Sequence, residues 1–338
     1  MKTLLVGYRA ADLTPELLEG DVTCHVLDIY HRHAIEKVHH AKCICSARLP
    51  EGPWDLVKFK TGPKIHAGEL ALDLLQECCK VAGSRGCEVE RAGKCRLEVE
   101  FEGRERDRND LLDKIKDYPK RVRSFKAEWP ASVPGGEKLM FASYPGCFCH
   151  RRLDEGGLAL AEVVSRELSS LIPRPSSLSL LDMGCGCGLV GLLIANRLKS
   201  NASHLPPSTF NLTLVDSHSR AVEAATENAA KFGIPAEVIL SDNGTPPRMD
   251  GTFDVFVGNP PYYSDYRIAE VFLETAQRAL KPGGVCYTVV KNAAGLKPVQ
   301  ERFFPSVEVI SRRNYSVLKS IQPSSSPVAG HKAHSTKR

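Results

Sequence analysis

Asn259-Pro260-Pro261-Tyr262, within the stretch "VFVGNPPYYSDYR" (255–267), is a set of residues suited to chemistry on an amino group. An amino group conjugated to a base ring or an acyl group is a weak nucleophile, because its lone pair is delocalised. The side-chain oxygen of Asn259 and the carbonyl of Pro260 can accept its two N–H bonds and turn the lone pair toward an electrophile. Neither proline has an N–H for a strand ladder, so the apolar run ends at Asn259, and Pro260 and Pro261 stiffen the acceptor pair. Tyr262 offers a ring on which a flat substrate can stack. Read only locally, the same residues make a strand-ending turn.

The electrophile is suggested upstream. "LLDMGCGCGLVG" (180–191) follows a strand pattern and opens a helix. Glycines at Gly184, Gly186 and Gly188 allow a sharp turn and close approach of a ligand to the main chain, where a helix N-terminus presents free N–H groups. The letters also satisfy G-x-G-x-x-G, as Gly186, Gly188 and Gly191, which makes a dinucleotide fold a competitor. The carboxylates separate the two. Asp182 would oppose a pyrophosphate but could meet a cation; Asp216 ends the second strand and can take two ribose hydroxyls; Asp242 ends the third and can accept from an adenine amino group. Any one of them alone reads as a helix N-cap. Together they fit a ligand with a ribose, an adenine and a positive end but no phosphate, which is S-adenosylmethionine. Their neighbours Cys185, Ser217 and Asn243 join the expected cofactor-binding set.

These residues need a scaffold that brings strand ends to one edge. The C-terminal half alternates strand patterns ("SLSLLDMG", "FNLTLVD", "AEVILSD", "FDVFVGN", "GGVCYTVV", "RNYSVLKSI") with helical ones ("LVGLLIANRL", "SRAVEAATENAAKFG", "AEVFLETAQRAL"). Nearly continuous apolar strands between helices predict a parallel, doubly wound α/β sheet covered on both faces. The N-terminal half reads as a degenerate copy in the same order: "TLLVGYRA" for "LLDMGCGC", "HVLDIYHRHAIE" for "TLVDSHSRAVE", and "WDLVKFKTGPK" for "FDVFVGNPPYY". Residues 1–126 are expected to form this first domain, 127–139 a Pro/Gly/Ser-rich linker, 140–321 the catalytic domain and 322–338 a disordered basic tail.

Length and composition agree with two globular domains. The chain has 338 residues, 12 cysteines and a formal net charge of +5. No apolar run reaches the ~18–20 residues of a membrane span, and the N-terminus lacks a signal-peptide pattern, so a cytoplasmic protein with reduced thiols is expected. His31, His33, His39, His40, Cys43 and Cys45 lie close together, but not at a usual zinc-ligand spacing, and no metal is expected. Lys120, Arg121, Arg123 and Lys126 make a basic run, which is either a solvated face or a contact for a polyanion. A monomer is expected.

The sequence resembles a known family. Asp/Asn-Pro-Pro-Tyr/Phe marks amino-methylating class I methyltransferases, and "YPGCFCHRRLDEGGLAL", "ALKPGGVCYTVVKN", "RFFPSVEVI" and "NYSVLKSI" resemble segments of the bacterial ribosomal RNA guanine-N2 methyltransferases of the small subunit (RsmC type). The resemblance covers about Tyr144 to Ile321 well and the N-terminal half in outline. It implies a degenerate methyltransferase-like N-terminal domain ahead of the active one, and methylation of guanine-N2 in 16S ribosomal RNA or the small ribosomal subunit. It implies that Phe148, Asp154 and Gly156 flank the cofactor pocket, and that Asn259 to Tyr262 hold the guanine 2-amino group. Tyr263, Arg267 and the basic run are the expected RNA contacts. The family commonly has Phe, often followed by His, where this chain has Tyr262 and Tyr263. Two other readings stay open: the same chemistry on another RNA or DNA amino group or a protein glutamine amide, and a non-catalytic RNA-binding ribosome-assembly protein.

Overall fold

The described residues of the first half form a sheet of five strands: β1 (Lys2–Val6), β2 (Asp21–Val26), β3 (Cys43–Cys45), β4 (Leu56–Thr61) and β5 (Arg96–Phe101). All its pairings are parallel, in the order β3-β2-β1-β4-β5. Helices α1 (Ile29–His39), α2 (Glu69–Ala82) and α3 (Glu105–Asp113) belong to the same half. Two strands, β6 (Ala127–Ala131) and β7 (Leu139–Ser143), follow. The second half adds α4 (Glu155–Ser169), β8 (Leu178–Met183), α5 (Leu189–Asn201), β9 (Phe210–Asp216), α6 (Ser219–Lys231), β10 (Ala236–Leu240), β11 (Phe253–Gly258), α7 (Arg267–Ala279), β12 (Leu280–Val290), α8 (Ala293–Gln300), β13 (Glu308–Arg312) and β14 (Tyr315–Ile321). Its sheet runs β10-β9-β8-β11-β12-β14-β13, with β14 antiparallel to β12 and β13 antiparallel to β14. This computed structural model describes residues 1–63, 65–66, 68–83, 95–170, 177–201, 210–261 and 266–324.

Apolar continuity follows from burial on both faces of the second sheet. Leu180, Val255, Val257 and Val289 pack under α4 and α5, and Leu181, Phe256 and Cys286 pack under α7. α6 lays Ala221, Ala224, Ala225 and Ala229 into the first of these clusters at helical spacing.

The two halves repeat one plan. Val6 pairs with His25 and Phe59, as Met183 pairs with Val215 and Gly258. Gly7, at φ +81°, therefore stands where Gly184, at φ +68°, stands. Asp55 accepts the backbone N–H of Lys2 at 2.6 Å, and Asp254 accepts that of Ser179 at 2.8 Å, in equivalent places. The copies meet at equivalent residues. Asp28 and His218 form an antiparallel bridge, closed by Ile29 N–H on the Ser217 carbonyl (2.9 Å) and Ser219 N–H on the Leu27 carbonyl (2.7 Å).

Two expectations need correction. Residues 127–139 are not a free linker. β6 and β7 pair antiparallel, and Trp129, Ala131, Val133 and Leu139 are buried in the second unit's core, where the Trp129 ring stacks on Phe141. Alternation of exposed and buried residues along "AEWPA" is the strand signal that the prolines and glycines masked. Lys126 is also not a free cation of the basic run. It is ion-paired with Glu227 of α6 and lies over the Tyr144 ring, so it joins the two units.

Candidate active site

β8 ends at Met183, and the chain then turns through Gly184, Gly186 and Gly188 with φ of +68°, +56° and +85°. Side chains are strained there, so glycine is required. An added Cβ at Gly184 would sit 2.7 Å from the Phe272 ring, whereas at Gly186 it would meet no atom within 4 Å. Gly186 thus faces open space, with room for a ligand against the main chain. Cys185 is buried between them.

The three aspartates occupy three depths. Asp182 is almost fully buried beneath the turn, and its Oδ2 accepts the Gly191 N–H at 2.8 Å. Burial pushes its carboxyl up to about 7, against that N–H bond. Asp216 lies at the rim of the turn. Its Oδ2 accepts the Gly186 N–H and its Oδ1 the His218 N–H, both at 2.9 Å. Desolvation raises its carboxyl and these N–H donors oppose the rise. A carboxylate offers about four acceptor positions, so it can still take hydroxyls. Asp242, beyond β10, accepts from His33 Nδ1 of α1 at 3.1 Å, a contact from the first unit.

One strand over, β11 delivers Asn259. Gly258 pairs with Met183, so Asn259 leaves the same sheet edge beside the glycine turn. Asn259 Nδ2 donates to Asp154 Oδ2 at 2.8 Å. Asp154 caps α4 through Gly156 N–H at 3.1 Å, and burial raises its carboxyl while the Gly157, Asn259 and Gly156 donors oppose the rise. The Tyr315 ring presses on Gly156, where an added Cβ would lie 3.1 Å from Cε1.

Other expected residues are more scattered. Phe148 is two-thirds exposed on the loop before α4. Ser217 donates its hydroxyl to Asp28 Oδ2 at 3.0 Å, in the junction between units. Asn243 is exposed and takes the Ser241 hydroxyl at 2.9 Å. Arg267 opens α7 and is exposed, as are Lys120, Arg121 and Arg123. Tyr262 and Tyr263 lie outside the described residues.

Sequence reasoning missed residues that work through distant partners. Asn228 is fully buried in α6; its amide binds both backbone groups of Ala142 and the Cys187 carbonyl, tying β7 to the glycine turn. Arg220, also fully buried, binds Asp73, Glu77 and the carbonyls of Ala47 and Pro145. Among the described residues, no three His, Cys, Asp or Glu side chains converge as a metal site. The described cysteines are free thiols, most of them buried. No described helix is long and apolar enough to cross a membrane.

Residues 138–319 match the family model of the methyltransferase small domain. The chain belongs to this family. A ribosomal RNA small subunit methyltransferase C from Pseudomonas aeruginosa is 32% identical over 171 residues, 49% of this chain and 45% of that protein. One from Shewanella loihica is 30% identical over 208 residues, 60% of this chain and 52% of that protein. The chain spans about half the length of these curated relatives. A solved T. thermophilus 16S rRNA N2 methyltransferase (RsmC), in complex with AdoMet and guanosine, aligns over 95% of this chain and 88% of that one, with a TM-score of 0.71 and 17% identity. Both units of this methyltransferase-family chain thus take part in a shared fold: a class I methyltransferase sheet preceded by an α/β domain of the same plan.

Proposed function

We propose that the protein transfers a methyl group from S-adenosylmethionine to the 2-amino group of guanine in small-subunit ribosomal RNA. One adjacency carries this reading: Asn259-Pro260 and the open glycine turn leave neighbouring strands at the same sheet edge. The donor set fits the cofactor, since the acidic side chains of Asp216 and Asp242 at strand ends suit hydroxyls and an amino group and would repel a pyrophosphate. When bound, the cofactor supplies an electrophilic methyl group. Asp216 binds the ribose, Asp242 the adenine amino group, and Asp182 braces the turn beneath. The Asn259 oxygen and the Pro260 carbonyl accept the substrate's two N–H bonds. Methyl transfer to the substrate nitrogen would leave the bonding electron pair on the departing remainder of the cofactor, and the surplus N–H proton would pass to water. The relatives and the guanosine-bound neighbour support guanine over other acceptors. The reaction needs no metal, a single chain holds every group named, and a ribosomal substrate would put the work in the cytoplasm.

Mass spectrometry of nucleosides from small-subunit RNA treated with the protein and labelled S-adenosylmethionine should show N2-methylguanosine. Label in another nucleoside, or none, would overturn the reading. Asp216→Ala should weaken cofactor binding by about 1–3 kcal/mol, the scale of losing charge-assisted hydrogen bonds. Unchanged affinity by calorimetry would remove Asp216 from the ribose site.

The first unit is proposed to position RNA and to bind no cofactor. Arg9 and Ala11 stand where Gly186 and Gly188 stand, and Lys60 takes the place of Asn259. The Lys60 ammonium is held by Asp12, Glu100 and Glu102 at 2.9, 3.2 and 2.6 Å, an internal ion cluster in place of an amide. Lys120, Arg121 and Arg123 project to solvent from a segment whose backbone is anchored by Gln76, through Arg123 N–H and carbonyl at 2.8 and 3.0 Å. Changing all three to Ala should flatten the salt dependence of RNA binding by roughly one unit of slope for each phosphate no longer neutralised. Filter binding across a salt series decides: slopes equal to wild type would exclude this run from the RNA site.

A further inference from the structure

We infer that Asp154 is a positioning residue that sets which face of the Asn259 amide meets the substrate; this rests on the amino-methylation reading above. An asparagine amide presents an oxygen on one side and an NH2 on the other, and rotation by half a turn exchanges them. Only one orientation serves catalysis here. With the oxygen toward the substrate amino group, Asn259 accepts an N–H; with the NH2 there, two donors face each other. The backbone of Asn259, although stiffened by Pro260, does not select between them.

Asp154 selects. An ionised carboxylate accepts and cannot donate. Its Oδ2 lies 2.8 Å from Asn259 Nδ2, so the NH2 must turn toward Asp154 and the amide oxygen away from it. The carboxylate is itself held. Its Oδ1 takes the Gly156 N–H at 3.1 Å as the N-cap of α4, and the Gly157 N–H donates to it as well. Gly157 permits this approach, because an added Cβ would lie 2.5 Å from Oδ2. The helix start therefore fixes a carboxylate, and the carboxylate fixes an amide 105 residues away in the chain.

Asp154→Ser separates the cap from the lock. Serine caps a helix as well as aspartate does but is too short to hold the amide. The variant should keep its melting temperature while kcat for RNA methylation, measured at saturating S-adenosylmethionine, falls roughly 10- to 100-fold, the scale of misorienting a reacting group. In the Asn259→Ala background the same change should cost less than about 2-fold, because a residue acting through Asn259 has nothing left to orient. An equal loss in both backgrounds, or wild-type kcat in Asp154→Ser, overturns the inference. A second arm needs no RNA. In asparagine-labelled protein, the Asn259 side-chain NH2 resonance, assigned by its loss in Asn259→Ala, should shift and exchange faster with water in Asp154→Ser. An unmoved resonance overturns the lock. If the resonance moves but wild type methylates no RNA, the lock stands and the functional reading fails.

Discussion

Asn259→Ala should reduce methyl transfer by about 100-fold or more and leave S-adenosylmethionine binding nearly unchanged. Removing one preorganised oxyanion-hole donor costs about 2.7–4 kcal/mol, and loss of an acceptor aimed at developing positive charge is expected on the same scale. Asn259 leaves the strand next to the one that ends at the glycine turn, and its proposed role is toward the substrate and not toward Asp182, Asp216 or Asp242. Its Nδ2 is committed to Asp154, which turns the amide oxygen away from that carboxylate. Single-turnover rates with small-subunit RNA, measured beside cofactor titrations, separate the two effects. Wild-type turnover in this variant would refute amino-group activation by Asn259.

Arg220→Ala should destabilise the protein by about 3–5 kcal/mol, the scale of breaking a buried ion pair by removing one partner. Arg220 is among the largest fully buried side chains of the described residues, and it belongs to α6 of the second unit. Its guanidinium reaches Asp73 at 2.6 Å and Glu77 at 3.1 Å on α2 of the first unit, together with the carbonyls of Pro145 and Ala47. Alanine would leave two sunken carboxylates without that cation, although Arg48 still reaches Glu77 at 3.1 Å. Arg220→Lys should recover part of the loss only, since an ammonium cannot match a planar fork aimed at four acceptors. Urea unfolding reads both variants. A midpoint unchanged in Arg220→Ala would show that the junction between the units is held by other contacts. The same helix start carries the His218 N–H on Asp216, so weakened cofactor binding is expected alongside.

The chain by itself determined whatever depends on near neighbours. Alternating apolar runs and helical periods specified two α/β halves in the same order, because the periods of strand and helix are local properties. Gly184, Gly186 and Gly188 marked the turn, since only glycine occupies those φ values without strain. Asn259 before two prolines marked a strand end for an equally local reason. The tertiary structure alone decided how polar side chains are spent. Lys126, placed with the basic run, is bound to Glu227, 101 residues on. Ser217, expected at the cofactor, turns to Asp28, 189 residues back. The supposed linker is a hairpin, because Trp129 and Leu139 find a core that 127–139 does not announce. Arg220 and Asn228 are polar by type and share a helix face with Ala224, and both are fully buried. Burying a charge or an amide is tolerable only where partners wait, and those partners are brought by the folding of segments far apart in the chain.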